Sequence, residues 1–233
     1  MKLRVLSDLH LEHLRDPSDA NIHDNIDCDV VVLGGDIGLG TDGIEWAAAN
    51  FETPVVYVMG NHEYYNYEMT SLIARARACA RELGIHLLEN DEVVINGQRF
   101  LGCTLWSGFD TGPYGWLHNT RYAHSRIADF SEIRCGERLF NPSRMIERYK
   151  LSHEWLSQAL DESNPAVLVT HFAPTLKAIN PEFGPGDELT PYFHNDLEDL
   201  MGAAAPIWIY GHNHYSDVES IEREFGTTLV ASN

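Results

Sequence analysis

The sequence predicts an α/β fold with several parallel strands. Three observations point there. Short runs of β-branched and aliphatic residues recur along the 233 residues, helical periodicities lie between them, and five of the runs close on Asp, Asn or His. The run at 3–6 is the first expected strand, and 30–33 and 55–59 follow. Met69, Leu72, Ile73, Ala76, Ala80 and Leu83 then repeat at helical spacing, with Gly84 where a C-terminal cap belongs. Residues 100–105 read as the next strand. From 107 to 141 the period is lost among Gly108, Gly112, Pro113, Gly115 and scattered aromatics. That stretch is expected to be a long, partly ordered, cap-like insertion in a single domain spanning 1–233. A second helix starts at Asn141 as cap with Pro142 in its first turn. It carries Ile146, Tyr149, Leu156, Ala159 and Leu160, and Asn164-Pro165 stops it. Runs at 167–169, 207–210 and 227–230 complete the strands. Trp46, Trp155 and Trp208 read as core.

Composition excludes several classes. Hydrophobic residues make up 44% and charged residues 22%, which is ordinary globular usage. No run approaches the roughly 20 apolar residues of a membrane span. The opening MKLRVLSDLHLE has no room for a signal peptide, and Cys28, Cys79, Cys103 and Cys135 form no C-x-x-C pair, so free thiols in a reducing cytoplasm are expected. The formal charge of −19 argues against binding long nucleic acid or an anionic membrane. Residues 113–150 are the exception, at +3 against −22 for the remainder.

The five polar closures are Ser7-Asp8-Leu9-His10, Gly34-Gly35-Asp36, Gly60-Asn61-His62-Glu63, Thr170-His171 and Gly211-His212-Asn213-His214. The C-terminal edge of an open α/β sheet is where ligands bind. Carboxylate, amide oxygen and imidazole donors without a thiolate suit Mn, Fe, Zn or similar ions, and so fit a binuclear metal site. Each motif alone is common in ordinary turns. Five in this order, each at a strand end, carry the reading.

The order D-x-H, G-D, G-N-H-E, H, G-H-x-H resembles the calcineurin-like metallophosphoesterase superfamily. The resemblance covers nearly the whole chain. It implies two facing mixed sheets flanked by helices, a four-layer α/β/β/α sandwich. It implies that Asp8, His10 and His214 hold one divalent transition-metal ion, that Asn61, His171 and His212 hold a second, and that Asp36 bridges them. His62 is implied to sit over the substrate phosphate instead of binding metal. The protein Ser/Thr phosphatase branch looks like Gly-Asp-x-Val-Asp-Arg-Gly at the second motif, and Gly35-Asp36-Ile37-Gly38-Leu39-Gly40 lacks that Asp and Arg. The pattern looks more like the small bacterial and phage-type phosphoesterases, some of which act on cyclic nucleotides. Family chains commonly continue past the last strand, so a tail beyond Asn233 is expected.

The expected chemistry is hydrolysis of a small phosphodiester or phosphomonoester, such as a nucleotide, by a metal-activated water or hydroxide. His62 is the expected proton donor to the leaving group, with Asp8 and Glu63 as candidates to orient it. A nuclease and a non-enzymatic scaffold of the same fold are the competing readings. Arg121, Arg126, His118, His124, His194 and Tyr64 are candidate substrate contacts, since arginine suits phosphate oxygens and aromatic rings suit stacking. Tyr65 is a stacking candidate on the same grounds. His13, His23, His86 and His153 read as surface residues.

Overall fold

The structure, a computed structural model, describes all residues but 17–19, 21 and 23–25. His23 lies outside the described residues. Four strands, β1 (Leu3–Leu6), β2 (Val30–Leu33), β3 (Val55–Val58) and β4 (His86–Leu88), form an all-parallel sheet in that order. A six-stranded mixed sheet contains β5 (Asp91–Ile95), β6 (Gln98–Cys103), β9 (Ala166–Thr170), β10 (Ile207–Tyr210), β11 (Asp217–Arg223) and β12 (Gly226–Ser232). Its order is β11-β12-β10-β9-β6-β5, with antiparallel pairs at both edges. The remaining pair, β7 (Arg134–Cys135) and β8 (Arg138–Leu139), is a small hairpin.

The strand side chains split between two cores. Val30, Val32, Val56, Val58 and Leu88 of the first sheet share one cluster with Phe100, Val167, Val169 and Ile209 of the second. Their neighbours in sequence, Val31, Leu33, Val55, Tyr57, Leu101, Leu168 and Trp208, belong to the other cluster with helix residues. Alternation at period two therefore puts one face of each strand between the sheets and the other against helices. Those helices are α1 (Asp42–Asn50), α2 (Met69–Leu83), α3 (Trp116–His124), α4 (Asp129–Glu132), α5 (Pro142–Ala159) and α6 (Thr190–Phe193). This is the expected fold of two sheets flanked by helices.

Caps fall where the sequence puts them at two helix ends, and a third is new. Gly84 ends α2 in a left-handed conformation, and Asn141 accepts from the Arg144 N–H ahead of Pro142 in α5. Glu68 caps the other end of α2 by accepting from the Thr70 and Ser71 N–H groups. α5 ends at Ala159, a turn earlier than its Asn-Pro stop.

The stretch 107–141 is more ordered than its sequence suggests, since it holds α3, α4, β7 and β8. In α3 the polarity is inverted. Trp116 and Leu117 are exposed, while Asn119 and Thr120 are buried. The Asn119 amide donates to the carbonyls of Phe109, Thr111 and Tyr114, so a polar residue anchors the helix and hides its period. Trp155 is only partly buried, and His86 lies half-buried in β4. All four cysteines are free. Among the described residues, no helix is long and apolar enough to cross a membrane.

Candidate metal centre

Five strand ends bring the seven predicted donors together. Asp8 and His10 follow β1, Asp36 follows β2, Asn61 follows β3, His171 follows β9, and His212 and His214 follow β10. The Asp36 Oδ2 atom is the hub. It lies 3.3 Å from His171 Nε2, 3.9 Å from His10 Nε2 and 4.0 Å from His62 Nε2. On one side His10 Nε2 approaches His214 Nε2 to 3.1 Å, and His214 Nε2 lies 3.4 Å from Asp8 Oδ1. On the other side His171 Nε2 is 3.1 Å from Asn61 Oδ1. The ligand atoms of Asp8, His10 and His214 fall within 4.8 Å of one another, as do those of Asp36, His171 and His212.

These residues fit a pair of cations. His212 Nε2 is buried with no hydrogen-bond partner, which is costly for a polar atom unless something fills it. The His171 Nδ1–H donates to the Gly34 carbonyl at 2.8 Å, which leaves Nε2 as the ring atom that faces Asp36 and is available to a ligand once its proton leaves. Burial disfavours charge on His171, yet the Asp36 carboxylate overrides it and pushes the imidazole up to about 10. The same field attracts a metal ion, and metal binding displaces the proton. Burial, with the nearby His171, drives His212 well below its ordinary value, so its lone pair stays free for a ligand role.

The backbone is strained where the donors sit. Asp8, His10, Asp36, His212 and His214 all have φ between 47° and 72°, a left-handed region disfavoured for residues other than glycine. Glu63, wholly buried, holds the Asp36 turn and the Gly60 turn beside it. It accepts from the N–H groups of Asp36, Ile37 and Gly60 and from the Tyr57 hydroxyl at 2.7–3.0 Å. Burial and the Asp36 charge push the Glu63 carboxyl up to about 7, against those four donors, which favour its ionised form. Two glycines permit the close approach. A Cβ on Gly60 would meet Asp36 Oδ1 at 2.1 Å, and one on Gly35, at φ +91°, would meet His171 Nδ1 at 2.5 Å.

His62 faces the same hub from the cleft side, with its ring stacked on Tyr65 at 4.3 Å. Neither Asp8 nor Glu63 orients it. Asp8 accepts from the His212 N–H, and Glu63 is spent on the turns beneath. Glu12 orients it instead. Its Oε1 lies 2.9 Å from His62 Nδ1 and 3.1 Å from His10 Nδ1, and against burial those two contacts lower its carboxyl to about 2. Only its place two residues after His10 in Asp8-x-His10-x-Glu12 could have signalled it. His10, Glu12, His13 and His62 also form a cluster within ligand reach of one another, although Glu12 Oε1 is already shared by two imidazoles.

A second carboxylate, Asp129 of α4, had no sequence signal. It is fully buried and accepts from Asn61 Nδ2 at 2.9 Å, the Tyr65 hydroxyl at 2.9 Å and the Tyr192 hydroxyl at 2.8 Å. An ionised carboxylate only accepts hydrogen bonds, so Asp129 forces the Asn61 amide to turn its oxygen towards His171. Asp129→Asn removes that constraint. It is expected to weaken metal binding by about 10–100-fold, the usual cost of losing an outer-shell partner. Titration against a chromophoric chelator measures this, and an unchanged affinity would remove Asp129 from the centre.

The predicted substrate contacts separate. A cleft of about 480 Å³ opens beside Asp36, Asn61, His62 and His214, and Arg126 lines it. The Arg126 guanidinium lies over the Tyr122 ring at 3.7 Å. Arg121 lies instead along a second depression on the outer face of α3. His118, on that face, pairs with Glu188 at 2.8 Å, and His124 is exposed over Phe130. Tyr64 is fully buried against Trp106 and offers no face to a ligand. Tyr65, its neighbour, takes the place at the cleft.

Three comparisons say what this chain is similar to. The curated relative "Uncharacterized protein L509" of Acanthamoeba polyphaga mimivirus is 24% identical over 92% of this chain and 85% of its own. The crystal structure of a phosphopantetheinyl hydrolase, PptH, from Mycobacterium tuberculosis superposes with a TM-score of 0.75. It is 18% identical, and the match covers 100% of this chain and 89% of that one. Residues 1–216 match the calcineurin-like phosphoesterase family. With most of its length matched, this chain belongs to the calcineurin-like phosphoesterase family.

Proposed function

We propose that this protein is a binuclear metal-dependent phosphoesterase acting on a small phosphodiester or phosphomonoester. The observation that carries the reading is Asp36 Oδ2, buried and within 4.0 Å of an imidazole nitrogen from each donor group, His10 and His171, and of His62. Asp8, His10 and His214 would hold one ion, Asn61, His171 and His212 the other, and Asp36 both. Oxygen and nitrogen donors without thiolate suit Mn, Fe or Zn. Ions held there supply Lewis acidity and lower the pKa of water. The chain's own residues do the rest. Glu12 fixes the His62 ring, His62 carries a proton towards the leaving group, and Tyr65 stacks beneath it. Arg126 meets the phosphoryl or a group beside it. Residues 107–141 act as a cap on a single unit, since they bring Asp129 to Asn61 and Arg126 to the cleft.

A nuclease fits less well. Arg126 is the only Arg or Lys among the described residues lining the cleft, too little to track a polyanion. A scaffold is disfavoured because every donor and His62 remain in reach of one another. Protein stripped with chelator is expected to take up two transition-metal ions per chain. It is also expected to regain hydrolysis of a nitrophenyl phosphodiester or monoester in step with that uptake. Full activity without metal would sink the proposal. Metal uptake with no hydrolysis of either ester would favour the scaffold.

A further inference from the structure

The cleft does not end at the donor residues. It continues into a recess of about 200 Å³ behind the loop that carries Phe183, and cleft and recess share Asn180, Phe183, Phe193 and Asn213. Leu189 and Phe193 make much of the recess wall apolar. Phe183, at its junction with the cleft, is 55% exposed, an apolar ring left uncovered beside the candidate metal centre. The wall is built, not incidental. Thr190 Oγ1 donates to the Gly184 carbonyl, Asn213 Nδ2 donates to the Ala178 carbonyl, and His118 ties the loop to α3 through Glu188.

Charge narrows what fits. Arg126 is the one Arg or Lys among the described residues of cleft and recess, and Glu182 and Asp187 stand at the loop. An anionic arm would meet like charge there, and a second phosphoryl group would find no cation. Resting on the phosphoesterase reading above, we infer that the recess takes an uncharged, largely apolar arm of the substrate. The preferred substrate is then a phosphoester with one phosphoryl group at the donors and a neutral arm against Phe183, Leu189 and Phe193. Pocket burial of such an arm improves kcat/KM in proportion to the apolar surface removed from water.

The test uses diesters that share one leaving group, so that the chemistry at phosphorus is held fixed. Methyl, butyl, 3-carboxypropyl and 2-(trimethylammonio)ethyl 4-nitrophenyl phosphates are compared on the metal-loaded protein. The butyl ester is expected to exceed the methyl ester in kcat/KM by about tenfold or more, and the carboxypropyl ester to lose that gain. Phe183→Ser and Leu189→Asn, with metal content and circular dichroism checked, should each pull the butyl-to-methyl ratio towards one. Equal kcat/KM for butyl and methyl esters in the wild type would overturn the recess assignment, as would a ratio untouched by both variants. A trimethylammonio ester matching the butyl ester would overturn the neutral arm. Hydrolysis of none of the four would instead count against the phosphoesterase reading.

Discussion

Asp36→Asn is expected to abolish hydrolysis and lower metal content together. Asparagine keeps the shape of the side chain, and its carbonyl oxygen can still accept from the His62 N–H, as Asp36 Oδ1 does at 2.8 Å. The fold should therefore survive. The variant loses the negative charge at Oδ2, the atom that lies 3.9 Å from His10 Nε2 and 3.3 Å from His171 Nε2. One carboxylate that partly neutralises two dications has no neutral substitute. The loss should exceed the 10–100-fold typical of outer-shell partners. Elemental analysis should show fewer than two ions per chain. The field that raises His171 is removed as well, so its imidazole should return towards ordinary values in the metal-free variant. Two ions per chain with ordinary affinity, alongside lost activity, would deny Asp36 its bridging place.

Much of this centre is legible in the sequence because its pieces are local. A strand end and a donor lie within four residues of one another at each of the five sites, three of them with a glycine between, and short apolar runs mark the strands that carry them. Side chains that reach the centre from elsewhere leave no such mark. Asp129 comes from a four-residue helix after Ala128, 68 residues from Asn61, and nothing around it repeats. Tyr64 and Tyr65 are adjacent and identical in type. Which one faces the cleft depends on the short 3-10 turn after Asn61, which turns Tyr64 inward onto Trp106. α3 escapes for a different reason. Its buried face is polar and its exposed face aromatic, so hydrophobic periodicity, which detects a conventional amphipathic helix, reports nothing. The edge strands β5 and β11 alternate with many exposed acidic residues and read as polar stretches.

His62→Ala should keep both ions yet lose activity, in a way that depends on the leaving group. The ring reaches Asp36 Oδ2 only at 4.0 Å through Nε2, and its Nδ1 is committed to Glu12. A proton donor contributes about 10²–10⁴-fold when the leaving group is an alkoxide, and far less for nitrophenolate, which departs without a proton. Equal losses on alkyl and nitrophenyl esters would refute the donor role, and a missing ion would make His62 a ligand. Glu12→Gln separates holding from donating. Burial works against the charged form of His62, but the Glu12 hydrogen bond and the Asp36 and Glu12 charges outweigh it and raise the pKa above its ordinary value. Bound dications beside Asp36 would cancel that carboxylate's share, which leaves Glu12 as the group that keeps the proton on the ring. Removing its charge lowers the pKa, so the acid form is lost at lower pH. The alkaline limb of the kcat/KM profile should therefore move towards acid, with kcat falling more than KM rises. Glu12→Asp, which keeps the charge, should restore part of the profile. Because Glu12 also touches His10 at 3.1 Å, metal content is measured in each variant. An alkaline limb that stays in place while both ions remain bound would leave Glu12 a merely structural contact.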